Sequence, residues 1–154
     1  MKIYDQYDHL NAFKLVQKKN LYPELVEIVD IPSVLFGEKS PSEIKKLIGD
    51  GFNSKGWADN VKVDNSNLTV NFVKDGVGVC FQIGNVARTY ADILKLMHLH
   101  NKGKIEIGVM IVPAPSASKT LGANYARYDR LARELNLYKD IITVPILAIG
   151  LTNQ

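Results

Sequence analysis

A chain of 154 residues, 46% hydrophobic and 23% charged, has the composition of one globular domain, 1–154, able to bury roughly 70% of its unfolded surface. A formal charge of +3 is too mild to demand a polyanionic partner, although a basic face can be hidden within it. One cysteine excludes an intrachain disulfide and an all-cysteine metal site. Without a signal-peptide pattern, and with the longest apolar run (141–151) short and broken by Pro145, the expectation is a soluble, cytoplasmic protein off the membrane.

In chain order, Tyr7, Leu10, Phe13 and Leu15 predict an amphipathic helix within residues 5–19, and Pro23-Glu24 opens a short second one. Ser40-Pro41-Ser42-Glu43 is a capping box with Pro at the first helical position. Ile44, Leu47, Ile48 and Phe52 then make one apolar face, and Gly56 is the stop. A short strand at 61–63 precedes two alternating segments, 68–74 and 77–84, joined by Asp75-Gly76, a strong hairpin signal. On the second segment Val77, Val79, Phe81 and Ile83 share one face, while Gly78, Cys80 and Gln82 share the other. Cys80 and Gln82 are thus neighbours, about 6.6 Å apart by strand rise.

Residues 87–101 read as a helix with Tyr90, Ile93, Leu94, Met97 and Leu99 as its apolar set. The near-continuous apolar run 105–112 predicts a buried central strand. Residues 114–121 form a loop rich in Pro, Ser and Ala, and a helix follows over 123–136. A last strand at 142–151 contains Pro145, which implies a bulge or an edge position. There is no repeat, low-complexity tract or internal linker. The sum is an α/β domain: a mixed β-sheet with flanking helices, and the hairpin at the edge of the site.

The stretch from Asn71 to Gly84 resembles the BglII/BstYI-like type II restriction endonucleases of the PD-(D/E)XK nuclease fold. Their hairpin carries an Asp, eight residues, then Glu-x-Gln; here the same register reads Asn71, eight residues, then Cys80-Phe81-Gln82. Further segments carry the likeness across most of the chain. They are Tyr7-Asp8-His9-Leu10-Asn11, Lys55-Gly56-Trp57, Gly84 followed eight residues later by Asp92, Lys104-Ile105-Glu106-Ile107-Gly108-Val109, and Val144-Pro145-Ile146-Leu147-Ala148-Ile149-Gly150. The chain is shorter than these enzymes, with the missing length between the capped helix and the hairpin. The resemblance implies a restriction-endonuclease-like fold, double-stranded DNA as partner, a homodimer, and magnesium as cofactor if the protein is active.

The resemblance also places Asn71, Cys80 and Gln82 at the catalytic positions, with Asn71 and Cys80 at those of the metal ligands. Magnesium is held by hard, charged oxygens; an Asn carbonyl brings no charge and a thiol is soft, so metal binding is expected to be weak or lost. The plain reading of Cys80 is a small buried residue in a strand, and a soft-metal site joining it to His98 or His100 has little support. Relocated acids are the other option: Asp64, whose plain reading is a loop residue, and Glu106, whose plain reading is a partly wet strand face. Asp75 belongs to the turn, and Asp92 either reaches Gln82 or Arg88 or faces solvent.

For DNA phosphates the candidates are Lys74, Arg88, Lys95, Lys102, Lys104, Lys119, Arg127, Arg130 and Arg133, against a plain reading as solvated faces. Ser116, Ser118 and Thr120 join Lys119 in the loop after the central strand, where polar side chains can reach base edges. Three functions stay open. One is a DNA-binding pseudoenzyme of this nuclease fold. The second is an active endonuclease with relocated or artificially substituted ligands. The third is a protein-interaction module on the same scaffold.

Overall fold

The computed structural model describes residues 1–153. Six strands form one sheet in the order β1-β6-β5-β4-β3-β2, where β1 is Lys2–His9, β2 Ala58–Lys62, β3 Thr69–Lys74, β4 Val77–Phe81, β5 Ile107–Pro113 and β6 Ile146–Thr152. β4, β5 and β6 run parallel at the centre, and β1 and β3 pair antiparallel on either side. Every residue of β4, β5 and β6 is buried, the signature of strands covered on both faces.

Helices α1 (Ala12–Lys18), α2 (Tyr22–Val29) and α3 (Pro41–Ser54) belong to one core layer, with Leu25, Ile28, Ile44, Ile48 and Phe52 against Val77, Val79, Ile111 and Ile149. Helices α4 (Ala87–Asn101) and α6 (Tyr128–Leu137) belong to the other, with Leu96, Leu131 and Leu135 against Cys80, Met110 and Ala148. The alternation read along β4 therefore divides the two cores. Each fully buried Leu or Ile contributes about 1.5–3 kcal/mol of transfer free energy.

The hairpin turn is of the twisted kind that suits right-handed strands: Asp75 has φ 48° and Gly76 φ 78°. The capping box is complete, since Ser40 Oγ accepts from the Glu43 N–H at 3.2 Å and the Ser40 N–H donates to Glu43 Oε2 at 2.8 Å. At the other end of α3, Phe52 stacks on Phe72 of β3, with ring centroids 4.1 Å apart. This contact lays α3 across the hairpin.

Five expectations need correction. Residues 2–9 are the strand β1, so the first helix starts only at Ala12; the spacing of Tyr7, Leu10 and Phe13 mimicked a helical stripe. The stretch 114–121 is mostly the short helix α5 (Pro115–Leu121), opened by Pro at its first position, with Ser118 facing inward at 4% exposure. The next helix begins at Tyr128 rather than 123. Pro145 lies just before β6, which is an interior strand between β1 and β5; the Pro145 carbonyl caps the pairing by accepting the Gly108 N–H at 2.8 Å. The proline thus costs the ladder no donor. On α4 the buried set is Ile93, Leu96 and Leu99, while Leu94 is 65% exposed. No helix among the described residues is long and apolar enough to cross a membrane.

Candidate functional site

Where β4 ends, the chain continues to Gln82, whose N–H donates to the Ile111 carbonyl at 2.9 Å. A cleft of about 570 Å³ opens here between α3, β3 and the start of α4. Asn71 and Gln82 line it, together with Arg88, Asp92 and Lys95 from α4, Lys45 and Lys46 from α3, and Asp59 of β2.

Asn71 precedes the Phe72↔Val79 pair, and the antiparallel register sets it across from Cys80. Its Oδ1 accepts the backbone N–H of Phe81 at 2.9 Å. Gln82, 7% exposed, is held at both ends of its amide. Nε2 donates to Asp92 Oδ2 at 2.9 Å, and Oε1 accepts the Gly84 N–H at 3.0 Å. Asp92 is 5% exposed, and its second oxygen, Oδ1, accepts from Lys95 Nζ at 2.9 Å. Of the options for Asp92, the structure realises the contact with Gln82. Cys80 is 1% exposed and sits in the α4-side core instead of the cleft lining. Burial pushes its thiol well up from the ordinary range, and the nearby Asp92 carboxylate adds to the shift.

The relocated acids lie elsewhere. Asp64 pairs with His98 beside α4, and Glu106 pairs with Lys19 at 3.2 Å next to the hairpin turn. Neither lines the cleft that holds Gln82. Among the described residues no three His, Cys, Asp or Glu side chains cluster as a cation site.

A magnesium ion needs hard oxygens, carboxylates foremost, turned toward a common point. Here the Asn71 carbonyl and both Asp92 oxygens are engaged with internal donors, the thiol is buried and soft, and Asp59 is the remaining cleft carboxylate. This donor set does not fit the ion. Four cationic side chains face two carboxylates across the cleft. Sequence reading missed Lys45, Lys46 and Asp59; the adjacent lysines just inside a capped helix were the available signal.

A second cleft of about 850 Å³ lies between α5 and α6 and brings together Ser116, Ser118, Lys119, Arg127, Arg130 and Arg133. Arg127 is held by both oxygens of Asp129, at 2.6 and 3.0 Å. Arg130 bonds Glu134 Oε1 at 2.9 Å and the Tyr90 hydroxyl at 2.7 Å, tying α6 to α4. Lys119 and Arg133 have no ion-pair partner among the described residues. Thr120 lies outside this cleft, its hydroxyl donating to the Ser116 carbonyl at 3.2 Å. Lys74 is also apart: its ammonium donates to both Glu24 oxygens, at 3.0 and 2.9 Å, and to the Lys55 carbonyl at 2.8 Å.

Comparison with known proteins gives this geometry a lineage. A structure of the restriction endonuclease BglII complexed with a DNA 16-mer, 18% identical, superposes with a TM-score of 0.84 over 99% of this chain and 77% of that one. Free BglII, 21% identical, gives a TM-score of 0.72 over 98% and 79% of the two chains. No curated protein sequence matches significantly. The profile of the restriction endonuclease BglII/BglIII family matches residues 4–151. The chain, matched from its first strand through its last, belongs to the BglII/BglIII restriction endonuclease family.

Proposed function

We propose that this protein binds double-stranded DNA, and that Asn71 and Cys80, standing where the family resemblance expects metal-binding carboxylates, leave it catalytically impaired. The observation that carries the reading is the pairing at the cleft. The Asn71 carbonyl is committed to the Phe81 N–H and the Asp92 carboxylate to Gln82 and Lys95, so no pair of open acids faces Gln82. Metal-dependent hydrolysis needs such a pair to hold magnesium and to lower the pKa of an attacking water. The active-enzyme alternative would have to draw on Asp59 and Asp92, the two carboxylates that line the cleft.

For DNA contact the α5–α6 cleft is the preferred surface, with Ser116, Lys119 and Arg133 offered to the phosphates and Arg88 serving the first cleft. Thr120 and Lys74 take no part in this assignment, because both are turned to internal partners. We also propose a homodimer, supported by the family likeness and by the exposed Leu94 and Tyr90 on α4. The expected compartment is the cytoplasm.

Titration with duplex DNA at several salt concentrations tests the reading. Phosphate contacts impose a steep linear fall of log affinity with log salt. Absence of binding to any duplex at low salt would leave only the interaction-module reading. Cleavage assays with magnesium and with manganese test impairment, and turnover by the unmodified protein would refute it.

A further inference from the structure

We infer that the cleft at the end of β4 is an anion site that takes a phosphodiester of the DNA backbone without a divalent metal. The inference rests on the DNA-binding reading above and gives one of its contacts a chemistry.

The argument is one of hydrogen-bond polarity. The orientation of the Asn71 amide is dictated by the Phe81 N–H, a group that can only donate; Oδ1 must face it, at 2.9 Å, which leaves Nδ2 as the free end. Gln82 is used up at both ends, by Asp92 and by the Gly84 N–H. Asp92 has one oxygen on Gln82 and the other on Lys95. The acceptors of Asn71, Gln82 and Asp92 are thus turned inward; the other side-chain acceptors along the cleft belong to Asp59, Asn60 and Thr69. What Asn71 and the α3 and α4 sides of the cleft present outward is donors: Asn71 Nδ2, the remaining protons of the Lys95 ammonium, the Arg88 guanidinium, and the exposed Lys45 and Lys46.

Charge points the same way. The Lys95 side chain is 18% exposed and that of Asp92 7%, so the ammonium is anchored on a carboxylate away from bulk solvent, where its field is poorly screened. The Lys95–Asp92 pair is neutral as a unit and serves to fix the ammonium's remaining N–H donors at the cleft, while the net positive charge comes from Arg88, Lys45 and Lys46, which have no ion-pair partner among the described residues. Unlike a metal ion, the tethered ammonium neither dissociates nor activates water. Arg88 adds a planar fork suited to two phosphate oxygens.

The test uses the whole protein, isotope-labelled, with inorganic phosphate as the probe and EDTA present. Side-chain amide signals of Asn71 are expected to shift saturably. Lys95→Gln should weaken the effect about tenfold, whereas Lys95→Arg, which keeps the charge, should stay within about threefold. Exchanging EDTA for magnesium at constant ionic strength should leave affinity unchanged. Shifts that fail to saturate by about 50 mM phosphate, that are indifferent to Lys95→Gln, or that need magnesium would overturn the inference. If Lys95→Gln does not fold, Arg88→Gln with Lys46→Gln reads the same site from its exposed side. A short duplex separates the two claims. Duplex binding without any response at Asn71 overturns this inference and leaves DNA binding standing; a phosphate response in a protein that binds no duplex supports the anion site and refutes the DNA reading.

Discussion

The amide of Gln82 and the carboxylate of Asp92 meet at 2.9 Å, both almost fully buried, so that the chain leaving β4 is fastened to the second turn of α4. Lys95 closes the arrangement from one helical turn further on. Asp92→Ala would leave a buried amide and an ammonium without their acceptor, and an expected loss of about 2–4 kcal/mol follows. Urea unfolding measures it; a variant as stable as the parent would mean that the three groups do not act together.

Restoring carboxylates tests the cleft from the opposite direction. Asn71→Asp keeps an acceptor for the Phe81 N–H and brings a charge beside Lys95 and Arg88. Combined with Cys80→Glu it should create magnesium binding visible by calorimetry, where the parent shows little. Because Cys80 is enclosed in the α4-side core, the double variant should lose about 1–3 kcal/mol of stability. If it folds and gains no metal affinity, the assignment of these two positions fails.

Glu24 supplies a pH dependence with a defined sign. Partial burial pushes its carboxyl up, but hydrogen bonds from the Lys74 ammonium and the Trp57 indole outweigh this and hold it below the ordinary 4.5. A carboxyl depressed in the folded state stabilises the fold above its unfolded pKa, and the contribution drains away as pH falls through the lowered value. Glu24→Gln should therefore be less stable than the parent near neutrality. The two unfolding curves should converge below pH 4.5. A gap that persists or widens in acid would contradict the sign.

Gly150 is required by an approach between strand and helix. A Cβ built there would lie 2.7 Å from the Tyr128 ring of α6. Gly150→Ala must displace that ring, at an expected loss of about 1–3 kcal/mol. Thermal unfolding gives the readout, and an unchanged midpoint would show that α6 can slide.

The α5–α6 cleft makes a quantitative statement about DNA. Arg127 and Arg130 are neutralised by Asp129 and Glu134, whereas Lys119 and Arg133 have no ion-pair partner among the described residues. Lys119→Gln and Arg133→Gln should each lower the slope of log affinity against log salt by about one, weakening binding on all sequences alike. Arg127→Gln should change it less. The reverse order would place the phosphates elsewhere.

Local signals in the sequence were read correctly where their partners were also local. The Ser40/Glu43 capping box, the Asp75-Gly76 turn and the helix at 87–101 all stand in the structure. β1 was misread because what makes residues 2–9 a strand is a partner at the other end of the chain; Lys2 pairs with Thr152 and His9 with Ile146. In α5, Pro and Ser suggested a loop, although Pro115 sits where a helix tolerates it. At the cleft, strand alternation put Cys80 and Gln82 on one face, which holds. The plain reading of Cys80 as a small buried strand residue also holds, but alternation cannot say which helix borders that face, so the place of Lys45 and Lys46 in the cleft was not readable.

The pairing of β1 with β6 also sets an order of events during synthesis. Among the described residues, the first strand of the sheet in chain order pairs with the sixth alone. On a ribosome its hydrogen-bonding edge waits while every other strand is completed, and its register is settled only when residues 146–152 emerge. Contacts of such long sequence separation slow folding, though the entropy of closing the loop grows by only about 0.6 kcal/mol per doubling of length. Truncation within β6 would strip both β1 and β5 of a neighbour at once, so a chain cut short there should be cleared as unfolded rather than persist as a smaller domain.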